Sequence, residues 1–288
     1  MKNHPFFSLI TGTLNRKHKL NIFLTSLAGQ HFKNFELILV DQNHDLDVTE
    51  LVNSYKDIIK IKHIKTSLKG LSRARNLGFK CAIGAWVAFP DDDCEYPSDT
   101  LQKIYDIAIT KKDITGISTL VLDRAENFSA GGYMAAKTQL VTRQNVWRTA
   151  VSPSLFLKSD MCKKIKFDER LGVGGNDFGS GEETDFVLSL IEDYSCKILY
   201  VPQVIIWHPA FKEAWSYKVQ QRGFSYGCGM GAVLKKHHFS LLYVFWFALL
   251  QFVRFWQNLC RFNFGKALFH WEMCKGRIAG FFLWKLDE

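Results

Sequence analysis

Residues 36–41 read Glu36-Leu37-Ile38-Leu39-Val40-Asp41, an apolar run that shows neither helical nor alternating periodicity and is closed by a carboxylate. Such a run fits a strand covered on both faces, as in a parallel sheet, and not a surface strand with one wet face. Upstream, 6–13 reads as a strand and 19–30 as a helix with Leu20, Phe23, Leu24 and Leu27 on one side. Downstream, 49–55 and 59–64 repeat the helix-then-strand order. A further helix at 71–83 carries Leu71, Ala74, Gly78 and Cys81 on one side, and the short strand 86–89 is halted by Pro90. This alternation predicts an open, Rossmann-like α/β sheet, mostly parallel and flanked by helices, whose ligands sit beyond the carboxyl ends of the strands. Thr11, Thr13, Asp41, Asp91, Asp92 and Asp93 close those strands and should converge on one crevice.

Beyond this point the pattern is less regular. A helix at 98–110 and a strand at 114–121 come first; Gly131 with Gly132, and the run 172–181, mark loops. A helix at 182–192 and two short strands, 197–201 and 204–207, lie around Pro202. The stretch 172–177 superficially matches a dinucleotide fingerprint, but Asp177 replaces its last glycine and no clear strand precedes it.

The chain of 288 residues, 47% hydrophobic and 23% charged, suffices for one large domain and an appendage. It shows no repeat or low-complexity tract. Its net charge of +9 is unevenly placed: residues 212–288 hold eleven Lys and Arg against four acids, with nineteen of the forty-one aromatics. Basic and aromatic residues mixed in this way suit an anionic membrane surface better than nucleic acid, which is excluded as a partner. Residues 239–253 are apolar except for Ser240 and Gln251. A helix of that length, roughly 22 Å, is short for a hydrocarbon core of about 30 Å, so interfacial helices fit better than a span. The alternative is a core helix for a dimer, which predicts no lipid binding. Seven scattered cysteines without paired spacing read as reduced thiols, and the apolar stretch near the N-terminus is too short for a signal peptide. The expected location is cytoplasmic, peripheral to the inner face of the cell membrane.

Three consecutive aspartates after a buried strand repel one another unless a cation neutralises them. Mg²⁺ or Mn²⁺ at Asp91 and Asp93, bridging the phosphates of a nucleotide diphosphate, resolves the conflict; an acidic helix cap needs no metal. His208, at a strand end, is a further candidate ligand or a structural histidine. Arg75 could reach a base or phosphate, although an exposed arginine is usually a solvated surface residue. Asp41 could accept from a nucleobase or ribose, or merely form a turn. Glu182, Glu183 and Asp185 open a helix whose dipole favours the ionised carboxylate that a general base requires. Glu183 is the candidate base; Glu182 or Asp185 would orient the acceptor. Arg222 is a candidate for holding the departing diphosphate, or a surface arginine.

The order of these motifs resembles the inverting family-2 glycosyltransferases of GT-A fold, common in bacterial polysaccharide and lipid-linked glycan assembly. The likeness runs over roughly 6–234. It rests on Asn15 and Arg16 after the first strand, Val40 with Asp41, then Ala74, Arg75, Asn76 and Gly78, and on Asp91 to Asp93 as the DXD-like metal motif. Phe167, Asp168, Glu169, Leu171 and Gly172, followed by Gly181, Glu182, Glu183, Thr184 and Asp185, match the acceptor-side segment. The resemblance implies that Asn15, Arg16, Asp41, Arg75 and Asp91 bind the nucleotide sugar; the strand-end residues Thr11, Thr13 and Asp92, and Arg222, are candidates for the same role from their positions, with UDP-sugars the expected donors. It puts Asp91 on the nucleoside, Asp93 on the metal and Glu183 where the family usually has an aspartate base, with Glu182 as its rival. The acceptor would be a glycan or a lipid-linked hydroxyl. Residues 1–211 would form the GT-A domain, with a nucleotide-sugar half (1–123) and an acceptor half (124–211), and 212–288 a helical, membrane-associating region. The processive members' Gln, Arg and Trp signature is not reproduced around Gln220 and Arg222, which points to single additions. A non-catalytic nucleotide-binding membrane module is the alternative; a nucleotidyltransferase is disfavoured because no basic glycine-rich loop follows the first strand.

Overall fold

The computed structural model describes residues 4–125, 134–175, 178–210 and 215–285. Two compact units emerge. The first comprises Met1–Lys69, Arg73–Lys166 and Phe186–Phe211; the second comprises Gly70–Ser72, Phe167–Asp185 and Lys212–Glu288. The loop expected at Gly131 and Gly132, Asp177 of the rejected fingerprint, and the expected boundary at 211–212 lie outside the described residues.

The first unit is built on β1 (Phe7–Thr13), α1 (Lys17–Ala28), β2 (Phe35–Asp41), α2 (Thr49–Asn53), β3 (Lys60–Lys65), α3 (Leu71–Phe79) and β4 (Trp86–Ala88). It continues through α4 (Thr100–Thr110), β5 (Gly116–Leu122), β6 (Gln139–Leu140), β7 (Phe156–Lys158), α5 (Ser159–Cys162), α6 (Glu182–Tyr194) and β8 (Ile198–Trp207). The first turns of α3 and α6 group with the second unit. Eight strands form one sheet in the order β3-β2-β1-β4-β7-β5-β8-β6. β1, β2, β3 and β4 are mutually parallel, as is the β5–β8 pair, whereas β7 and β6 run antiparallel to their neighbours. The sheet is therefore mixed, and its order reverses at the β1–β4 junction. A crevice opens beyond the strand ends at such a reversal.

Every residue of β2 is buried, as its apolar run requires, and Leu20, Phe23, Leu24 and Leu27 seal α1 onto the core. Gly78 sets the distance of α3 from the sheet: a Cβ there would lie 2.5 Å from Ile10 Cγ2 and 3.2 Å from Val40 Cγ2. The two strands expected around Pro202 are one. β8 pairs with β5 across a register shift at Thr119 and Leu120, where Val201 and Ile205 are successive partners. Proline has no N–H for the ladder, so the extra residues are expelled as a bulge and the strand resumes.

The second unit carries α7 (Tyr217–Lys236), α8 (Leu241–Cys260) and α9 (Phe264–Leu283). No helix among the described residues is long and apolar enough to cross a membrane. α8 extends to twenty residues, well past the fifteen or so expected, because Ser240 caps its start by accepting from the Tyr243 N–H and the polar Gln251 and Asn258 are accommodated on its buried side. α7 and α9 meet through glycines. Gly223, Gly227 and Gly231 recur every fourth residue on α7, as do Gly276 and Gly280 on α9. A Cβ on Gly227 would lie 2.5 Å from the Met273 carbonyl oxygen, and one on Gly280 would collide with the Cys228 carbonyl. Phe178 and Ser180 are fastened within this unit: Phe178 packs edge-on to Trp284, and Ser180 Oγ donates to the Tyr226 carbonyl over 2.9 Å.

Candidate active site

The acidic loop after β4 faces the chain leaving β1, as expected where the sheet order reverses. Asn15, at φ 58°, turns the chain from β1 toward α1; asparagine tolerates this left-handed conformation better than most residues. The turn brings Arg16 Nη1 within 3.2 Å of Asp92 Oδ1 and 3.1 Å of Asp93 Oδ2, and Lys19 Nζ within 3.0 Å of Asp93 Oδ2. Thr13 Oγ1 donates to Asp92 Oδ2 over 2.7 Å. From the end of β8, His208 places Nε2 at 3.2 Å from Asp93 Oδ1 and 3.7 Å from Asp91 Oδ2. His208 thus lies within reach of both Asp93 and Asp91, although more than a hundred residues separate the acids from the imidazole. Burial pushes Asp92 up to about 6, despite the Thr13 hydrogen bond and the Arg16 charge. Burial also opposes ionisation of Asp93, but His208, Lys19 and Arg16 outweigh it and hold that carboxyl well below its usual range. His208 is raised in turn: burial disfavours its charge, and the two aspartates prevail.

Arg75 is not the exposed surface arginine that composition suggests. It is 1% exposed, with Nη2 3.2 Å from Asp91 Oδ1 and a short hydrogen bond to Ser152 Oγ. A guanidinium so deeply placed is tolerated only because its partners are built in, and it orients the Asp91 carboxylate in return. Arg75→Ala is expected to destabilise the chain by about 3 kcal/mol, the low end for orphaning a buried ion-pair partner, since Asp91 keeps some solvent. Urea unfolding would measure this, and an unchanged midpoint would remove the structural role.

Asp41 is buried, and its carboxylate is already engaged. Oδ1 accepts from the Asn43 N–H at 3.0 Å and from Asn43 Nδ2 at 2.6 Å, and Oδ2 lies 2.9 Å from His63 Nε2. The Asn43 side chain in turn accepts from the Asn15 N–H at 2.5 Å. Asp41 thereby organises the turn at Asn43 and, through it, the chain at Asn15. Thr11 is fully buried inside β1, and its Oγ1 has no hydrogen-bond partner among the described residues.

In the second unit, both oxygens of Asp185 are taken up at the end of α7: Lys236 Nζ is 2.9 Å from Oδ2 and His237 Nε2 is 2.8 Å from Oδ1. Lys236 also bridges 2.9 Å to Asp168, whose other partner is Arg170 at 2.8 Å. Burial opposes ionisation of Asp168, yet Arg170 and Lys236 hold it well below the usual carboxylate range. Glu182 is buried, and its carboxylate lies against Gly172, whose φ of +98° and tight contact leave no room for a Cβ. Glu183 keeps partial solvent access. Arg222 lies on α7 with Nε donating to the Tyr226 hydroxyl over 2.7 Å and its guanidinium against that ring.

Sequence reasoning missed Lys19, Asn43, His63 and Ser152, and the Lys236–His237 pair. Lys19 and His63 carried a faint signal, one in the first turn of α1 and the other on the strand beside Asp41. Ser152 and the α7 pair carried none.

The donor set fits a hard divalent cation. Asp91 and Asp93 present carboxylate oxygens beside an imidazole, and oxygen-rich sites of this kind suit Mg²⁺ or Mn²⁺. Asp91, Cys94 and His208 also place ligand atoms within 4.8 Å of one another. Burial raises the Cys94 thiol well above its ordinary value, however, keeping it protonated and a poor ligand for a hard ion.

An open sheet with an acidic loop at its reversal point, flanked by helices, is the GT-A architecture of nucleotide-sugar enzymes. Comparison with solved structures shows the same fold. Residues 1–349 of Staphylococcus aureus TarS superpose with a TM-score of 0.59 at 19% identity, covering 82% of this chain and 72% of that one. The mannosyltransferase PcManGT of Pyrobaculum calidifontis, solved with GDP-Man and Mn²⁺, gives 0.56 at 14% identity, over 79% and 63%. The chain belongs to glycosyl transferase family 2, whose profile it matches over residues 8–161. An uncharacterized glycosyltransferase of Rickettsia conorii is 33% identical over 35% of this chain and 17% of its own length. A PGL/p-HBAD biosynthesis glycosyltransferase of Mycobacterium tuberculosis is 29% identical over 51% of this chain and 58% of its own. The match therefore spans less than two thirds of the length of either relative.

Proposed function

We propose that this chain transfers a sugar from a nucleotide diphosphate donor to a hydroxyl of a glycan or lipid-linked acceptor, with inversion at the anomeric carbon. The observation that carries the proposal is the placement of His208 beside both Asp93 and Asp91, with buried Arg75 on Asp91. Membership of family 2 and the likeness to TarS, solved also with UDP-GlcNAc at a TM-score of 0.60, support a nucleotide-sugar donor, with a UDP-sugar the first to test. A divalent cation held by Asp91, Asp93 and His208 would neutralise the diphosphate as it departs. Arg75 keeps Asp91 aimed, and Arg16 and Lys19 add fixed positive charge where the leaving group gains negative charge. Asn15, Asn43 and Asp41 shape the rim that would receive the nucleoside. A bond forms between the acceptor oxygen and the anomeric carbon, the bond to phosphate breaks, and the acceptor proton passes to a carboxylate. The family resemblance gives that base role to Glu183, and its solvent access supports the assignment over buried Glu182 and doubly paired Asp185. Membrane association through the C-terminal helices is part of the same proposal.

The test is a donor panel read by release of nucleoside diphosphate with and without Mn²⁺, with the product's anomeric configuration read by NMR. Glu183→Gln is expected to lower kcat by about 10³-fold with donor binding intact, within the range for loss of a positioned base. Glu182→Gln is expected to act mainly through stability. Reversal of the two effects would move the base to Glu182, and binding without turnover would leave a nucleotide-binding module.

A further inference from the structure

The second unit presents a helix that is inside out for an aqueous protein. The buried side of α8 includes polar Gln251 and Asn258 beside Val244 and Ala248, with Gln251 2.8 Å from His270 Nδ1 of α9. Its exposed side from 241 to 253 is apolar, with Leu242 at 81%, Phe245 at 52% and Trp246 at 57% exposed, and Trp256 extends it at 50%. These residues recur at helical spacing over about three turns, so they form one stripe. A contiguous stripe of large apolar groups marks an interaction surface.

Charge identifies what covers it. Arg254, Arg261 and Lys266 stand exposed at the C-terminal end of α8 and the start of α9, where Phe262 and Phe264 are also exposed. Between 239 and 285, Glu272 is the only acid. Aromatic rings alongside basic side chains suit the boundary of a bilayer, with the rings among the acyl ends and the cations at anionic headgroups.

We infer that α8 lies in the plane of an anionic lipid leaflet, with Leu242, Phe245, Trp246 and Leu249 inserted and Arg254, Arg261 and Lys266 at the headgroups. The inference adds the face, the orientation and the lipid charge to the general membrane association proposed above, and does not depend on the catalytic reading.

The test is flotation of the full chain with vesicles of phosphatidylcholine alone or mixed with phosphatidylglycerol, alongside tryptophan fluorescence and light scattering. The chain is expected to float with the anionic vesicles, less so as salt rises, with a blue-shifted emission. The double variant Leu242→Glu and Leu249→Glu, on exposed positions the fold does not need, should lose on the order of a hundredfold in partitioning. Its transfer to a water-soluble acceptor should be unchanged. Asp93→Asn should bind vesicles like the parent chain, which separates a failure here from a failure of the proposed chemistry. Two results would overturn the inference: a parent chain that stays unbound with both vesicles, or a dimer that the double variant converts to monomer, giving the face to a second copy.

Discussion

Asp93→Asn is expected to reduce sugar transfer by about 10³-fold and to abolish saturable dependence on Mn²⁺, while the chain stays folded. The size of the effect follows from how many groups converge on this carboxylate. Arg16 and Lys19 reach Oδ2 and His208 reaches Oδ1, at 3.0–3.2 Å. Those cations favour its ionisation against the pull of burial, so the side chain stands as a fixed negative charge. Asparagine keeps the shape and can still accept from Lys19, but it removes the charge that a divalent ion needs. Arg16 and Lys19 are half exposed, so water compensates them and the stability loss stays small. Transfer and Mn²⁺ dependence that survive the substitution intact would eliminate the assignment of Asp93. The two readouts, turnover and Mn²⁺ titration, keep a binding defect separate from a defect in chemistry.

The second large effect concerns the α7–α9 pair. In an exposed helix, replacing glycine by alanine stabilises by about 1 kcal/mol, because the chain loses less entropy on folding. Here the sign should reverse. A methyl on Gly280 would collide with the Cys228 carbonyl, and one on Gly231 with the Arg277 carbonyl, so both encounter rigid backbone instead of a yielding side chain. Gly280→Ala is expected to cost about 2 kcal/mol and Gly280→Val about 3 kcal/mol, as overpacking forces the helices apart. Urea unfolding followed by circular dichroism reads both. Stabilisation by alanine would mean that the helices pack less closely than the structure has them.

Much of the parallel part of the sheet was legible because its information is local. A run such as Leu37 to Val40 can be covered on both faces in few ways, and the alternation of strand and helix around it leaves one handed arrangement of a parallel sheet. The aspartates after β4 were visible because like charges in sequence demand an explanation. The burial of Arg75 could not be read along the chain, because it depends on Ser152 and Asp91, which sequence distance hides. The bulge at Pro202 and the antiparallel insertion of β7 were similarly hidden, because strand partners are chosen by the whole sheet.

The amino-acid order alone determined the parallel core around β2, the acid-bearing loop at its reversal point, and a C-terminal region both basic and aromatic. Tertiary structure alone decided that His208 joins Asp91 and Asp93, that Lys236 and His237 occupy Asp185, and that α8 turns its apolar side outward. Periodicity and propensity act over a few residues and can be read along the chain. Ion pairs and exposed faces depend on which distant segments the folded backbone brings within a few ångströms, and that is settled only when the chain closes.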